Sequence, residues 1–191
     1  PDSATSETMV LDDYRDRYAL YKADEHLAAA HASAPFVTTF DDHEIDNNWA
    51  SQISQDDDDP RAFLMRRADA FKAWWENTPV RANLRPSGPD MKIFRRISFG
   101  DLVDFSILDT RQYRSDQVNG DTEHAQDAAT ADSSRTITGA EQERWILDGF
   151  ASPSTWNFLA HQTVISDLAR RTDGERKVGM DSWSGYEASR H

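Results

Sequence analysis

The chain is 191 residues long and carries 34 acidic against 21 basic residues, a formal net charge of −13 and an isoelectric point near 4.7. That length suits one sizeable domain or part of a larger one, and that charge argues against a nucleic-acid-binding or anionic-membrane surface, because phosphate backbones and lipid headgroups repel it. Without cysteine there is no disulfide, zinc-thiolate site or thiol nucleophile, and no apolar run approaches the ~18 residues of a membrane span.

The opening stretch from Pro1 to Thr8 is polar and has no start Met, as expected of a processed or excised piece. From Leu11 to Ala32 the pattern predicts one helix, with Tyr14, Tyr18 and Tyr21 at i, i+4 and i+7 and Asp12 and Asp13 complementing its N-terminal dipole. His26 and His31 lack a spaced partner there and read as packed or solvated rather than ligating. Phe36 to Phe40, five β-prone residues behind Pro35, then predict a short buried strand. It stops at Asp41, Asp42, His43 and Glu44, followed by the amides Asn47 and Asn48. Ligands bind at the carboxyl ends of strands in an open α/β sheet, so this is read as a metal-binding edge. Its oxygens suit Ca²⁺, Mg²⁺ or Mn²⁺, and an acidic cluster beside a His also holds iron or zinc. The other reading is a solvated acidic loop, at the cost of a repulsion that a cation would remove.

The four aspartates before Pro60 predict a helix start with Asp59 as N-cap, rather than a calcium loop. Phe63, Ala70, Phe71, Trp74 and Trp75 follow at core spacing, although neighbouring tryptophans cannot point the same way. Lys92 to Phe99 and Leu102 to Leu108, separated by Gly100-Asp101, predict a hairpin. The second run empties into Asp109-Thr110-Arg111-Gln112-Tyr113-Arg114. A guanidinium fork matches tetrahedral oxyanions, so Arg111 or Arg114 is a candidate substrate clamp; an internal bridge to Asp109 or Asp116 is the alternative. Val118 to Arg135 is polar and expected to be a mobile excursion. Thr138 to Glu141 predict a capping box opening a helix with Trp145, Ile146 and Phe150 as inner-face candidates. Trp156 to Ile165 predict a third strand, where His161 either faces the site or is bonded within the sheet. The alternation of helix and strand favours a layered α/β fold.

Five segments together resemble the PhoD-type alkaline phosphatases, a branch of the calcineurin-like metallophosphatases. They are Asp41-Asp42-His43-Glu44 with Asn47-Asn48, Leu108-Asp109-Thr110-Arg111-Gln112-Tyr113-Arg114, Glu141-Gln142-Glu143-Arg144-Trp145, Trp156-Asn157-Phe158-Leu159-Ala160-His161-Gln162, and Met180-Asp181-Ser182-Trp183-Ser184-Gly185-Tyr186 running on to Arg190. Phe40 stands where the family usually has Trp, and His161 where Gln is usual, so no role is carried over to His161. The family's upstream Asp, Tyr and Cys ligands and its downstream Asp and His have no counterpart here. The resemblance therefore implies that residues 1–191 are the central portion of a metallophosphatase catalytic domain: a layered, metallophosphatase-like β-sandwich flanked by helices, present as an incomplete domain with sheet edges or apolar patches exposed where other segments of the parent chain would pack.

The activity so implied is metal-dependent hydrolysis of phosphomonoesters and phosphodiesters, small or polymeric, by a secreted or periplasmic protein with an Fe³⁺ and Ca²⁺ centre, other divalent cations remaining open. By the same match Asp42 and Asn47 are metal ligands, and Asp41 beside them in the acidic edge is a further candidate metal ligand. His43 lies by the leaving group, Arg190 holds the substrate phosphate, and Arg111 is a second, less defined substrate contact. The alternative function is a non-catalytic binding or structural fragment holding a calcium ion.

Overall fold

The computed structural model describes residues 7–56, 58–172 and 174–191; most of the polar opening stretch and Asp57 of the acidic run lie outside the described residues. Asp13 supports the start of α1 (Leu11–Lys22) by accepting the N–H groups of Met9 at 2.9 Å and Val10 at 3.1 Å. The single helix expected to run to Ala32 is two. Asp24 caps α2 (Glu25–Ser33), its carboxylate accepting His26 N at 2.9 Å and Leu27 N at 2.8 Å. A side chain that satisfies the free N–H groups of a new helix competes with continuation of the old one. Asp59 does the same for α3 (Pro60–Asn77), accepting Arg61 N at 3.0 Å and Ala62 N at 3.1 Å, so the acidic run is a helix start as expected.

α1 packs on α3, and the main core lies between them and the chain from Phe40 to Trp49. The Phe40 ring is 4.9 Å from Phe71 and meets Trp74 edge-on at 5.9 Å. Trp75 is only partly buried, packing against the edge of this cluster with the Arg85 guanidinium over its ring at 5.6 Å.

Phe36 to Phe40 is extended but belongs to no sheet among the described residues, which corrects the expected buried strand. Phe36 and Val37 are 40% and 52% exposed, and only Phe40 is core. Side chains, not a ladder, hold this backbone: Arg95 Nη2 donates to Thr38 O at 2.7 Å, and Thr39 Oγ1 donates to Leu108 O at 2.9 Å. β propensity expresses an extended backbone here, but pairing needs a neighbouring strand, and the segment meets none among the described residues.

The predicted hairpin forms as β1 (Arg95–Phe99) antiparallel to β2 (Val103–Ile107), and β4 (Trp156–Ala160) adds parallel to β2. Side chains alternate between the two faces. Arg96 and Ser106 face α4 (Gly139–Gly149), with the Arg96 guanidinium 4.5 Å from the Trp145 ring and 3.1 Å from Trp145 O. The opposite face is aromatic and open: Phe105 stacks on Phe158 at 5.3 Å, while Phe99, Trp156 and Phe158 are 54%, 60% and 50% exposed. α1 and α3 do not cover this sheet; they close on the Phe40–Trp49 stretch instead.

The capping box at Thr138 does not form. Thr136 Oγ1 accepts Gly139 N at 2.9 Å, leaving Thr138 Oγ1 buried without a partner among the described residues, and Gln142 takes an inner position while Phe150 is exposed. Nor is the polar stretch before α4 a loose excursion. It contains β3 (Glu123–His124), which pairs with β6 (Glu175–Gly179), itself paired with β5 (Arg170–Thr172). Arg135 ties its far end down, donating to Gly185 O and Asp116 O at 2.7 Å each.

The contrast between the two aromatic clusters is measurable. Phe40→Ala is expected to lower the unfolding free energy by about 3–5 kcal/mol through loss of buried contacts, whereas Phe99→Ala should change it by about 0.5 kcal/mol or less. Urea unfolding followed by tryptophan fluorescence distinguishes the two, and equal losses would contradict this placement of the core.

Candidate functional site

Phe40, Ile45 and Trp49, each 2% exposed or less, pin the ends and middle of the acidic stretch into the core and so decide where its acids point. Between them the backbone makes one helical turn, with Ile45 N and Asp46 N donating to Asp42 O at 2.8 and 2.9 Å. Asn48 follows at φ 50°, a left-handed conformation that Asn tolerates better than most residues. Its N–H donates to Asp42 Oδ2 at 3.0 Å, holding the buried Asp42 against the turn. His43 faces outward, its side chain 78% exposed, with Nε2 2.9 Å from Asn47 Oδ1 and 3.7 Å from Asp42 Oδ2. The bond to Asn47, then the charge of Asp42, raises the imidazole pKa. Asn47 Nδ2 donates to Gln55 Oε1 at 2.6 Å. Glu44 turns back so that Oε2 accepts Asp41 N at 2.7 Å; burial raises its pKa against that bond, and the charges of Asp41 and Asp42 add to the rise.

A second turn leaves the end of β2. Asp109 Oδ1 accepts Arg111 N and Gln112 N at 2.9 Å each, and Gln142 straps the Asp109 backbone, accepting its N–H at 2.8 Å and donating to its carbonyl at 2.7 Å. This turn aims Arg111 and Arg114 inward, 1% and 2% exposed. Arg111 Nε donates to Asp41 Oδ1 at 2.7 Å, while Nη1 and Nη2 grip Asp181 Oδ1 and Oδ2 at 2.9 and 2.8 Å. Arg114 binds the same Asp181, through its carboxylate and, at 3.1 Å, its carbonyl. Gln117 Nε2 joins Asp181 Oδ1 to Asn48 O at 2.7 Å each. Of the two sequence readings of these arginines, the internal bridge is what the chain makes, but to Asp41 and Asp181 rather than to Asp109 or Asp116. Burial opposes charge on both sides: it works against the Arg111 cation, whose pKa the acids nevertheless raise, and against the Asp181 anion, whose pKa Arg114 and Arg111 nevertheless lower.

Asp41, Asp42, His43, Asn47 and Arg111 are thus brought together. Arg190 is not joined to Asp42, Asn47 or His43 by any contact among the described residues; it lies in α5 (Glu187–Arg190), and its charge helps lower the pKa of Asp167. The site residues that sequence reasoning missed are Asp181 and Gln162. Two buried arginines in one turn demand a carboxylate, and that was the available signal for Asp181. Gln162, not His161, reaches the acidic stretch: its Nε2 donates to Thr39 Oγ1 at 3.1 Å and to Phe40 O, and its Oε1 accepts Thr110 Oγ1 at 3.0 Å. His161 instead packs edge-on against Trp183, where burial lowers its pKa. Asp41 and Asp181 line a cavity of about 380 Å³ with Gln162 and Arg170, whereas His43 borders a separate one of about 420 Å³ with Tyr18, Tyr21 and Trp74.

Asp42 and Asn47 offer hard oxygen donors on one turn, the kind that suits the implied cations. They are too few to hold one: among the described residues no group of three or more acidic or histidine side chains is arranged to bind a metal. Asn47 Oδ1 is also shared with His43, and Asp41 Oδ1 with Arg111.

Asp181→Asn leaves two buried guanidinium groups short of a charge and is expected to cost about 3–5 kcal/mol at pH 7. The Asp181 pKa is lowered on folding, so its stabilisation is full above the unfolded value of about 3.9 and is lost as pH falls through the lower folded one. The gap between wild type and variant in urea unfolding should therefore be wide at neutral pH and shrink below about pH 4; a gap independent of pH would contradict the clamp.

The whole chain, residues 1–191, matches the family of PhoD-like phosphatases. It is 41% identical over 187 residues to alkaline phosphatase D of Bacillus subtilis (strain 168), covering 97% of this chain and 32% of that protein. A solved structure of PhoD superposes with a TM-score of 0.93 at 41% identity, over 98% of this chain and 36% of that one. The chain therefore spans about a third of the length of these relatives, and its mixed α/β arrangement agrees with an incomplete domain of that fold. With its two small sheets, its acidic turn and its buried arginine clamp, this chain belongs to the PhoD-like phosphatase family.

Proposed function

We propose that the chain contributes the acidic turn of a metal-dependent phosphoester hydrolase, secreted or periplasmic, acting on phosphomonoesters and phosphodiesters with iron and calcium as its metals. The observation that carries this reading is the turn itself, in which Asp42, His43 and Asn47 are held side by side within a match that spans the whole chain. Asp42 and Asn47 would supply two of the oxygen donors to the metals, the others coming from residues outside these 191. Cations held there would supply polarisation of phosphoryl oxygens and activation of a water. His43, exposed and oriented by Asn47, is positioned to protonate a leaving alkoxide. Arg111 positions rather than binds substrate, because Nε and both Nη atoms are occupied by Asp41 and Asp181. Arg190 enters as a phosphate ligand through the resemblance alone.

One observation favours the second reading, a non-catalytic binding or structural fragment: oxygens of Asp41, Asp42 and Asn47 already serve hydrogen bonds within the chain. Mutation in a full-length protein carrying this chain separates the two. Asp42→Ala is expected to remove metal, measured by elemental analysis, and phosphatase activity together. His43→Ala should keep metal while turnover falls by roughly 10²- to 10⁴-fold, least for esters with good leaving groups. Arg190→Ala should mainly raise the substrate concentration needed. Full metal content and full activity in Asp42→Ala would sink the hydrolase reading of this turn in favour of the fragment.

A further inference from the structure

Among the described residues, four besides the glycines have left-handed backbone: Asn48, Ser51, Asn119 and Asp121, with φ of 50°, 53°, 58° and 60°. Such backbone crowds any side chain that has a Cβ, so it persists only where the surrounding structure enforces it. All four lie at one junction. Asn48 Nδ2 donates to Asp121 Oδ2 at 2.6 Å, joining positions 73 residues apart, while Ser51 comes three residues after Asn48 and Asn119 two before Asp121. With Gly120 between them, Asn119 and Asp121 complete three left-handed residues in a row.

As a stabilising residue Asp121 is poorly placed. Its backbone is strained, and its second oxygen, Oδ1, is buried without a hydrogen-bond partner among the described residues, a loss of hydration that counts against the folded state. What its geometry does secure is Asn48. The Asn48 N–H donates to Asp42 Oδ2 at 3.0 Å, its carbonyl accepts Gln117 Nε2 at 2.7 Å, and its side-chain amide is the group that Asp121 holds. Asp42 Oδ2 in turn lies 3.7 Å from His43 Nε2. The direction of one N–H thus sets the carboxylate that stands beside His43.

We propose that Asp121 is a positioning residue of the acidic turn: by holding the Asn48 side chain it keeps Asn48 in its left-handed conformation, and so keeps the N–H that orients Asp42 in place. This rests on the hydrolase reading of the turn. Every contact in the relay lies within this chain, so it does not wait on residues outside these 191. The relay needs a hydrogen-bond acceptor at position 121 rather than a charge. Asparagine there keeps an acceptor and tolerates left-handed backbone, whereas glycine adopts that backbone freely and has no acceptor. Those two substitutions therefore separate the hydrogen bond from the fold.

The test uses a full-length protein carrying this chain, with Asp121→Gly and Asp121→Asn compared for thermal melt, metal content, steady-state kinetics and amide hydrogen exchange across Asp42 to Asn48. In Asp121→Gly the melt should hold or rise, because strain is relieved, while exchange in the turn quickens by roughly tenfold. Its kcat should fall by roughly tenfold with KM within about twofold, and Asp121→Asn should restore both exchange and kcat. A purely structural residue would instead lose melting temperature, and kcat in the folded enzyme would stay at the wild-type value; that pattern overturns the proposal. Equal loss of metal in both variants would also overturn it, by making Asp121 a ligand through its charge. The exchange measurement stands apart from the chemistry: wild-type exchange in Asp121→Gly overturns the relay even where Asp42→Ala removes metal and activity as expected. Full metal and activity in Asp42→Ala, with the turn loosened in Asp121→Gly, would instead sink the hydrolase reading, and with it any catalytic part for Asp121, while the hold on Asn48 stands.

Discussion

The buried guanidinium of Arg111 is the constraint on which the rest of the site depends. A cation 1% exposed is tolerable only when its donors are matched, and Arg111 has Asp41 on one side and both oxygens of Asp181 on the other. Lysine could not do this, because an ammonium has no planar fork to grip two carboxylates in fixed directions. One side chain thereby joins the stretch after Phe40, the turn after β2 and the segment after β6, which are separated by 70 residues in each direction. Asp109 and Gln142 hold the base of that turn, so the arginine is aimed before it meets its acids.

Seen from the acidic turn, the same pairing explains how so many ionisable groups coexist. Asp41 is answered by Arg111, Asp42 by the Asn48 N–H, and Glu44 by the Asp41 N–H. The balance is incomplete, because burial and the neighbouring acids still raise the Glu44 pKa. Crowding is therefore partly relieved by the protein, and a cation is one further way to relieve it rather than the only one. His43 gains its exposure from the same turn: Ile45 and Trp49 go inward, and the residue between Asp42 and Glu44 is left at the rim.

The apolar interior is divided. α1, α3 and the Phe40–Trp49 stretch enclose one cluster, and Ile137, Trp183 and Tyr186 form a smaller one. Arg114 and Arg135 both lie against the Tyr186 ring of that second cluster, at 5.1 and 4.6 Å, and Tyr186 Oη donates to Ser115 O at 2.8 Å. The β1-β2-β4 sheet keeps an aromatic face uncovered, with Phe99, Trp156 and Phe158 exposed.

Local chemistry was legible in the sequence wherever a residue acts on its own neighbours. Asp59 before Pro60 caps α3, Gly100-Asp101 turns the hairpin, and the apolar spacing of Phe63, Phe71 and Trp74 places them inside. The five family segments, too, could be read as a set before any contact was known. What the sequence left undecided are the positions set by partners far along the chain. Phe36 to Phe40 has the composition of a strand and pairs with none among the described residues. Asp24 outcompetes a continuous helical pattern by capping the next turn, and Thr136 does what Thr138 was expected to do. Arg111 could be seen to need an acid, but Asp181 lies 70 residues away in the chain. Propensity and capping are written within a few residues, whereas the match of a buried charge to its counter-charge is written in the packing of the whole chain, and only the tertiary structure decides it.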